Sequence, residues 1–204
     1  MKKTVLLFAL LLSIAGVKAQ EFHYGAKLAL NRTSFTTDDS DTNKYLKGKL
    51  GLEAGLMGEY MFNDNLGLVA ELKYASAGDY MEMSQSGVDF KSYIYLSYVQ
   101  VPVMARYYFN ENLSLELGPQ IGFLTSADYE TEVSYDGNTE TDSGDLKDNF
   151  ESSDFGLNIG AGYKMENGLF FNLRYTVGLS DIDVDKNSTA KNNSIQFGIG
   201  YFFN

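Results

Sequence analysis

Along most of the chain, apolar and polar residues alternate one for one, the period of a strand with one face buried in an apolar medium. Eight segments carry the pattern: about 22–31, 49–62, 66–76, 93–109, 113–125, 153–165, 169–180 and 193–203. In the fifth, Leu113, Leu115, Leu117, Pro119, Ile121 and Phe123 point one way, and Ser114, Glu116, Gly118, Gln120 and Gly122 the other. The seventh sets Leu169, Phe171, Leu173, Tyr175, Val177 and Leu179 against Asn172, Arg174 and Thr176. Over the eight segments the apolar face has 46 positions and no charge. The opposite face has ten charges: Lys27, Lys49, Glu53, Glu59, Glu71, Lys73, Arg106, Glu116, Lys164 and Arg174.

Two all-β architectures use such strands. A soluble barrel turns the apolar face inward; a membrane barrel turns it outward, onto lipid, where a charge is costly. Three features favour the second. Twelve of the twenty glycines lie on the polar face, where a narrow interior leaves little room. Eight strands of Leu, Phe and Tyr would overfill one small barrel. Connections also alternate in length. Asn63-Asp64-Asn65, Asn110-Glu111-Asn112 and Glu166-Asn167-Gly168 are short, whereas 32–48, 77–92, 126–152 and 181–192 are long. The pattern therefore predicts an eight-stranded antiparallel up-and-down transmembrane β-barrel with three short periplasmic turns and four longer extracellular loops. Phe22, Tyr24, Tyr60, Phe62, Tyr107, Phe109, Tyr201 and Phe203 gather at the short-turn end and read as an interfacial aromatic girdle.

The first residues bear on location. Lys2 and Lys3 precede an apolar run from Val5 to Ile14, and Val17-Lys18-Ala19 fits the small-residue pattern before a cut. This predicts a cleaved secretory signal peptide over 1–19, followed by a single barrel domain over 20–204. Removing its three lysines takes the net charge from −11 to −14, which disfavours nucleic acid as a partner. The chain has no cysteine and one histidine, His23, which argues against thiolate, zinc or imidazole chemistry. No catalytic constellation, metal site or cofactor is implied, and an enzyme is not expected.

Several stretches resemble a known group. Val101-Pro102-Val103-Met104-Ala105-Arg106-Tyr107-Tyr108-Phe109 resembles a strand motif of the small "porin family" (PorT-like) outer-membrane β-barrels. Leu117 to Ser126 is similar to the following strand of that family, and Phe155 to Tyr163 and Gly200-Tyr201-Phe202-Phe203 also fit. In size and strand number the chain looks like barrels of the OmpA and OmpX type. The resemblance implies the cell outer membrane of a Gram-negative bacterium, contact with its lipid and lipopolysaccharide, and insertion by the barrel assembly machinery. Asn204 departs from the usual terminal aromatic residue.

Pairing across the short turns places Arg106 opposite Glu116 and Met57 opposite Glu71, with Glu59, Glu71 and Lys73 close on one face. Lys27, Glu53, Glu59, Glu71, Lys73, Arg106, Glu116, Lys164 and Arg174 are thus the expected polar network of the interior. That network reads as a structural plug or as a narrow ion path. The stretch from Ala127 to Glu151 holds nine acids, among them Asp128, Glu130, Glu132, Asp136, Glu140, Asp142, Asp145 and Asp148, against one base, Lys147. Its Tyr129–Tyr135 part still alternates and Asp136-Gly137 is a hairpin signal, so strand five is expected to continue into a protruding ribbon. Asp181-Ile182-Asp183-Val184-Asp185 hints at calcium but lacks the Gly and Glu of an EF-hand loop. The leading expectation is a monomeric, non-enzymatic barrel with a structural or surface-interaction role, with a surface or secretion-complex protein as a candidate partner. The alternatives are a narrow porin for ions or very small solutes, and a lipocalin-like soluble carrier of a lipophilic ligand.

Overall fold

The computed structural model describes residues 22–85, 87–185 and 189–203. The leader expected over 1–19 lies outside the described residues. Nine strands form: β1 (Phe22–Thr37), β2 (Lys49–Met61), β3 (Leu66–Gln85), β4 (Val88–Tyr108), β5 (Leu113–Tyr135), β6 (Asn138–Asp145), β7 (Ser153–Lys164), β8 (Leu169–Gly178) and β9 (Ala190–Phe202). Every pairing is antiparallel. Neighbours run in chain order, β9 pairs with β1, and β4 pairs with β5, so eight strands close into an up-and-down ring. β6 is the ninth and pairs only with the upper half of β5, above the stretch that pairs with β7.

The three short turns keep parity as the alternation requires: the amides of Phe62, Phe109 and Met165 donate to the carbonyls of Leu66, Leu113 and Leu169. Consequently the apolar face of every strand falls on one side of the sheet, and that side is the outside. Leu28 is 63% exposed and Leu50 72% exposed, while Glu59 is 0% and Arg174 1% exposed. A lipocalin-like carrier needs the reverse, an apolar lumen, so that alternative does not describe this molecule. Members of the expected girdle sit outward at the short-turn end, and their rings pair: Tyr24 with Phe203 at 5.6 Å, Tyr60 with Phe62 at 5.2 Å, Tyr107 with Phe109 at 5.3 Å.

The strands reach further than the alternation suggests. β5 has 23 residues, roughly 75 Å at about 3.3 Å per residue, whereas a tilted crossing needs about ten. The stretch 77–92, expected as a loop, is the outer part of β3 and β4 up to a tight turn at Gly87 (φ 82°). Its sequence carries no clear apolar–polar alternation, and Gly78 within it takes φ 136°. In β5, Thr125 is an extra residue: Leu124 pairs with Tyr98 and Ser126 with Ser97, and the inward set shifts from even to odd positions at Ala127. Beyond it, β5 turns at Asp136 (φ 51°) and Gly137 (φ 78°) into β6, a ribbon standing above the ring.

Candidate functional site: the barrel lumen and its long-loop rim

The inward positions of seven strands converge on one ionic network. Nearest the short-turn end, Tyr108 donates its hydroxyl to Glu59 (2.9 Å), which also accepts from Arg106 Nη1 (3.1 Å). Arg106 Nη2 donates to Glu116 (2.9 Å), its neighbour across β4 and β5. The other oxygen of Glu116 accepts from Arg174 Nε (2.7 Å), and the Arg174 guanidinium forks onto both oxygens of Glu71 (2.8 and 3.1 Å). Lys27 Nζ reaches the same carboxylate at 2.9 and 3.1 Å. Farther along, Lys73 donates to Glu53 (2.8 Å) and Gln196 (3.2 Å), and Asn31 donates to Glu53 (2.8 Å). Four carboxylates therefore face four cations, all buried. Charges at such positions are tolerable only when matched and hydrogen-bonded, and here each carboxylate has at least two donors.

Glycines make the room. A Cβ on Gly160 would lie 2.9 Å from Glu116 Oε1, and one on Gly198 would lie 2.2 Å from Asn172 Oδ1 and 3.2 Å from the Lys27 stem. The glycine-rich polar face thus has a steric cause: polar side chains of the adjacent strands at Gly160 and Gly198, and backbone carbonyls at Gly25, Gly118 and Gly178, occupy the volume a Cβ would take.

Eight of the nine expected interior residues lie in this network. Lys164 does not. It stands at the short-turn mouth, with Nζ 5.7 Å from the Tyr108 ring and 5.4 Å from the Phe202 ring. That mouth is a vestibule of about 590 Å³, with His23 edge-on to Phe202 at 6.0 Å. Lys49, counted with the inward charges, lies on the outer face instead. Its Nζ is 4.3 Å from the centre of the Tyr95 ring, and its stem crosses the surface left open by Gly78.

Two apolar groups accompany the ions. Met57, Val69, Met104, Phe170 and Phe202 pack in the short-turn half. At the long-loop end, Phe35, Ala77, Leu96, Tyr98, Leu124, Ala127 and Ile182 form a buried cap, supported by Leu46, Leu146 and Phe150 from the connections. Asp79 fastens this cap: its carboxylate accepts from the amides of Phe35 (2.7 Å), Gly48 (2.6 Å) and Tyr80 (2.7 Å). The alternation does not reveal the cap, because most of its residues fall in the long connections between the alternating segments. Between cap and ions, side-chain atoms of Gln120, Asn158 and Asn192 are buried without a protein partner among the described residues, as are those of Asn172 on the short-turn side of Arg174. Buried amides of this kind are ordinarily satisfied by internal water.

The acidic stretch divides in four. Asp128, Glu130 and Glu132 are on β5, Asp136 is in the turn, and Glu140, Asp142 and Asp145 are on β6. Asp148 lies in a 3-10 turn, Lys147–Asn149. Tyr129 donates to Asp142 (2.9 Å), which raises the Tyr129 pKa above its ordinary value. Of the Asp181–Asp185 stretch, Asp181 accepts from the amides of Asp183 and Ala190, Asp183 accepts from Asp185, and Ile182 is fully buried in the cap. These carboxylates tie off a turn, and no group of three or more potential metal ligands gathers among the described residues.

A family model described as "outer membrane protein beta-barrel domain" matches residues 18–184. No curated protein matches the sequence. Among solved structures, the chain is similar to Ail, the attachment invasion locus protein of Yersinia pestis (17% identity over 90% of this chain and 99% of that one, TM-score 0.48). It is similar to Neisserial surface protein A (11% identity, 87% and 96% covered, TM-score 0.47). It is also similar to the outer membrane protein OprG from Pseudomonas aeruginosa (15% identity, 90% and 95% covered, TM-score 0.40).

Proposed function

The chain belongs to the outer membrane protein beta-barrel domain family, and from that premise we propose that it is a closed, non-enzymatic barrel that acts through its outward surface. The short-turn end faces the periplasm and the long-loop end faces outside, the usual disposition of such barrels. The observation that carries the reading is the double obstruction of the lumen: an ionic network linking β1, β2, β3, β4, β5, β8 and β9, and above it the apolar cap. With the path filled, what remains accessible is the lipid-facing wall, the ribbon and the loops. The ribbon suits a partner-binding role, since β6 leaves one edge unpaired among the described strands and can extend the sheet by strand addition. The resemblance of Val101–Phe109 and Leu117–Ser126 to PorT-like proteins supports a role beside a surface or secretion complex.

Planar-bilayer recording tests the closed state. The purified barrel is expected to give no stepwise current in molar salt. Steady unitary conductance from the unmodified protein would overturn the reading in favour of a narrow porin, since the same inward residues would then line an ion path. His23, the sole imidazole of the chain, faces the vestibule with its ring edge-on to Phe202.

A further inference from the structure

Following each outward face from the short turns upward, the first charge past the apolar band differs around the barrel. On β1 the outward row Tyr24, Ala26, Leu28, Leu30 ends in Arg32, and on β4 it ends, beyond Tyr95 and Tyr93, in Lys91. Lys47 and Lys49 stand at the start of β2, just above Leu50. On β3 the first outward charge is Glu82, and on β5 it is Asp128. At this level β1, β2 and β4 therefore present bases, with Glu82 of β3 between them, whereas the β5–β6 side is acidic.

The basic residues share one groove of about 430 Å³ with three tyrosines: Arg32, Lys47, Lys49, Tyr80, Tyr93 and Tyr95. Tyr80 and Tyr93 stack at 5.5 Å and Tyr93 and Tyr95 at 6.2 Å, giving a flat aromatic wall. Lys49 lies over Tyr95 at 4.3 Å and Lys47 over Tyr80 at 5.9 Å. The Arg32 guanidinium bonds the carbonyl of Lys47, which fixes the loop and leaves further donors. One carboxylate opposes them: Glu82 takes Lys47 at 2.9 Å and Lys91 at 3.8 Å. Arg32 and Lys49 form no ion pair among the described residues. Three acids of β5 lie beyond the wall: Asp128, Glu130 and Glu132, opposite Tyr95, Tyr93 and Lys91.

Depth decides the ligand. Tyr107, in the lower girdle, and Tyr95 are twelve residues apart on β4. At about 3.3 Å per residue and a tilt near 40°, that is about 30 Å along the membrane normal, one hydrocarbon thickness. The groove thus opens at the level of the far headgroups, on the lipid side of the wall, with exposed Leu30, Leu50 and Leu52 directly beneath it. Acyl chains would lie along those leucines and an anionic headgroup among the cations, whose ammonium and guanidinium donors suit phosphate oxygens.

We propose that Arg32, Lys47 and Lys49, backed by Tyr80, Tyr93 and Tyr95, form a site for the phosphate-bearing headgroup of an outer-leaflet lipid. It rests on the outward-surface reading above and on the orientation given there.

The test uses the outer-membrane protein extracted in folded form in detergent and titrated by native mass spectrometry. Four probes are compared: bis-phosphorylated lipid A, the same lipid with both phosphates removed, phosphatidylglycerol and inorganic phosphate. Bis-phosphorylated lipid A is expected to bind at least about tenfold more tightly than its dephosphorylated form. Each of Arg32→Gln, Lys47→Gln and Lys49→Gln is expected to weaken it about fivefold, the worth of one basic side chain at an anionic surface. Lys49→Arg should retain binding, and Lys147→Gln, in the acidic loop region, should leave it unchanged. Folding of each variant is read from heat-modifiable gel mobility. If a variant does not fold, the phosphate dependence of the unmodified protein and the Lys49→Arg result carry the test. Phosphate-dependent binding that survives all three substitutions overturns this site while leaving a lipid-contacting surface in place. Equal binding of phosphorylated and dephosphorylated lipid overturns the headgroup assignment. Inorganic phosphate competing fully, with no gain from the acyl chains, overturns the lipid source.

Discussion

At the scale of the residue, Arg174 has the most demanding position in the molecule. It is essentially inaccessible and holds two carboxylates at once, both oxygens of Glu71 and one of Glu116. Truncating it leaves two buried anions short of donors, a situation that costs about 3–5 kcal/mol. Arg174→Ala should therefore lower unfolding free energy by that amount in urea titrations of the folded barrel in lipid vesicles. Glu71→Gln should cost less than Arg174→Ala, because Arg174 keeps Glu116 and Lys27 retains an amide oxygen to meet. A larger loss from Glu71→Gln than from Arg174→Ala would show that Glu71, not Arg174, organises the cluster. Gly160→Ala crowds the same point: its methyl group would meet the Leu173 carbonyl at 2.8 Å and Glu116 Oε1 at 2.9 Å. A loss of comparable size to a broken charge contact is expected, and no loss would mean the network shifts freely.

A gentler residue-scale prediction concerns the groove. The Lys47 ammonium donates to Glu82, holding that carboxyl below and the lysine above their ordinary pKa values. A depressed carboxyl stabilises the folded state above its unfolded pKa and loses that contribution as pH falls through the folded one. A raised lysine contributes below its unfolded pKa and loses it as pH rises through the folded one. Protection of the Lys47 amide, which bonds the Tyr80 carbonyl, should be constant through neutral pH and fall only in acid below the ordinary carboxylate range or in strong alkali. Amide exchange, corrected for its intrinsic pH dependence, measures this. The effect should be small, because the pair is exposed. A transition near neutrality would assign control of the loop to another group.

At the scale of the element, the β5–β6 ribbon is separable. β6 is exposed except at the half-buried Gly144, and it pairs with β5 alone. At its base Asp128 sits directly opposite Asp145, a like-charge pairing that weakens an antiparallel ladder. Asp145→Lys should slow amide exchange along β6 without changing barrel stability. Replacing 130–143 by a two-residue turn should leave heat-modifiable mobility intact. A barrel that fails to assemble without the ribbon would make it a folding element and not a surface one. The ribbon also shows what periodicity conveys. Tyr129 to Tyr135 alternates and Asp136-Gly137 marks a turn, so the hairpin is legible. Its placement is not, because Thr125 inserts one residue and reverses the inward set. Likewise, Arg106 opposite Glu116 follows from counting back around a three-residue turn. Bonds from Arg174 to Glu71, 103 residues apart, require ring closure and strand tilt, which no local pattern encodes. Lys49 goes astray for a related reason: at a strand end, after Gly48 (φ 67°) and over the space left by Gly78, alternation no longer dictates direction.

At the scale of the whole molecule, the two obstructions act in series, and that arrangement has a testable consequence. An ion crossing the lumen meets a packed ionic network and then an apolar cap, and either alone suffices to stop it. Opening only one should therefore leave the barrel silent. Arg106→Ser with Arg174→Ser removes bulk from the first layer, yet Leu96, Tyr98, Leu124 and Ile182 still seal the second. Ile182→Ser with Leu96→Ser loosens the cap, yet Lys27, Glu71, Arg174 and Glu116 still bridge facing strands. Only the fourfold variant is expected to show unitary steps in planar bilayers. If the cap variant alone conducts, the ionic network is permeable and the lumen is a gated path whose gate is the loop end. If the arginine variant alone conducts, the cap is leaky and the charges do the sealing. Silence in the fourfold variant, with its fold shown by gel mobility, would mean that the remaining side chains still fill an eight-stranded lumen, whose bore is about the size side chains can occupy.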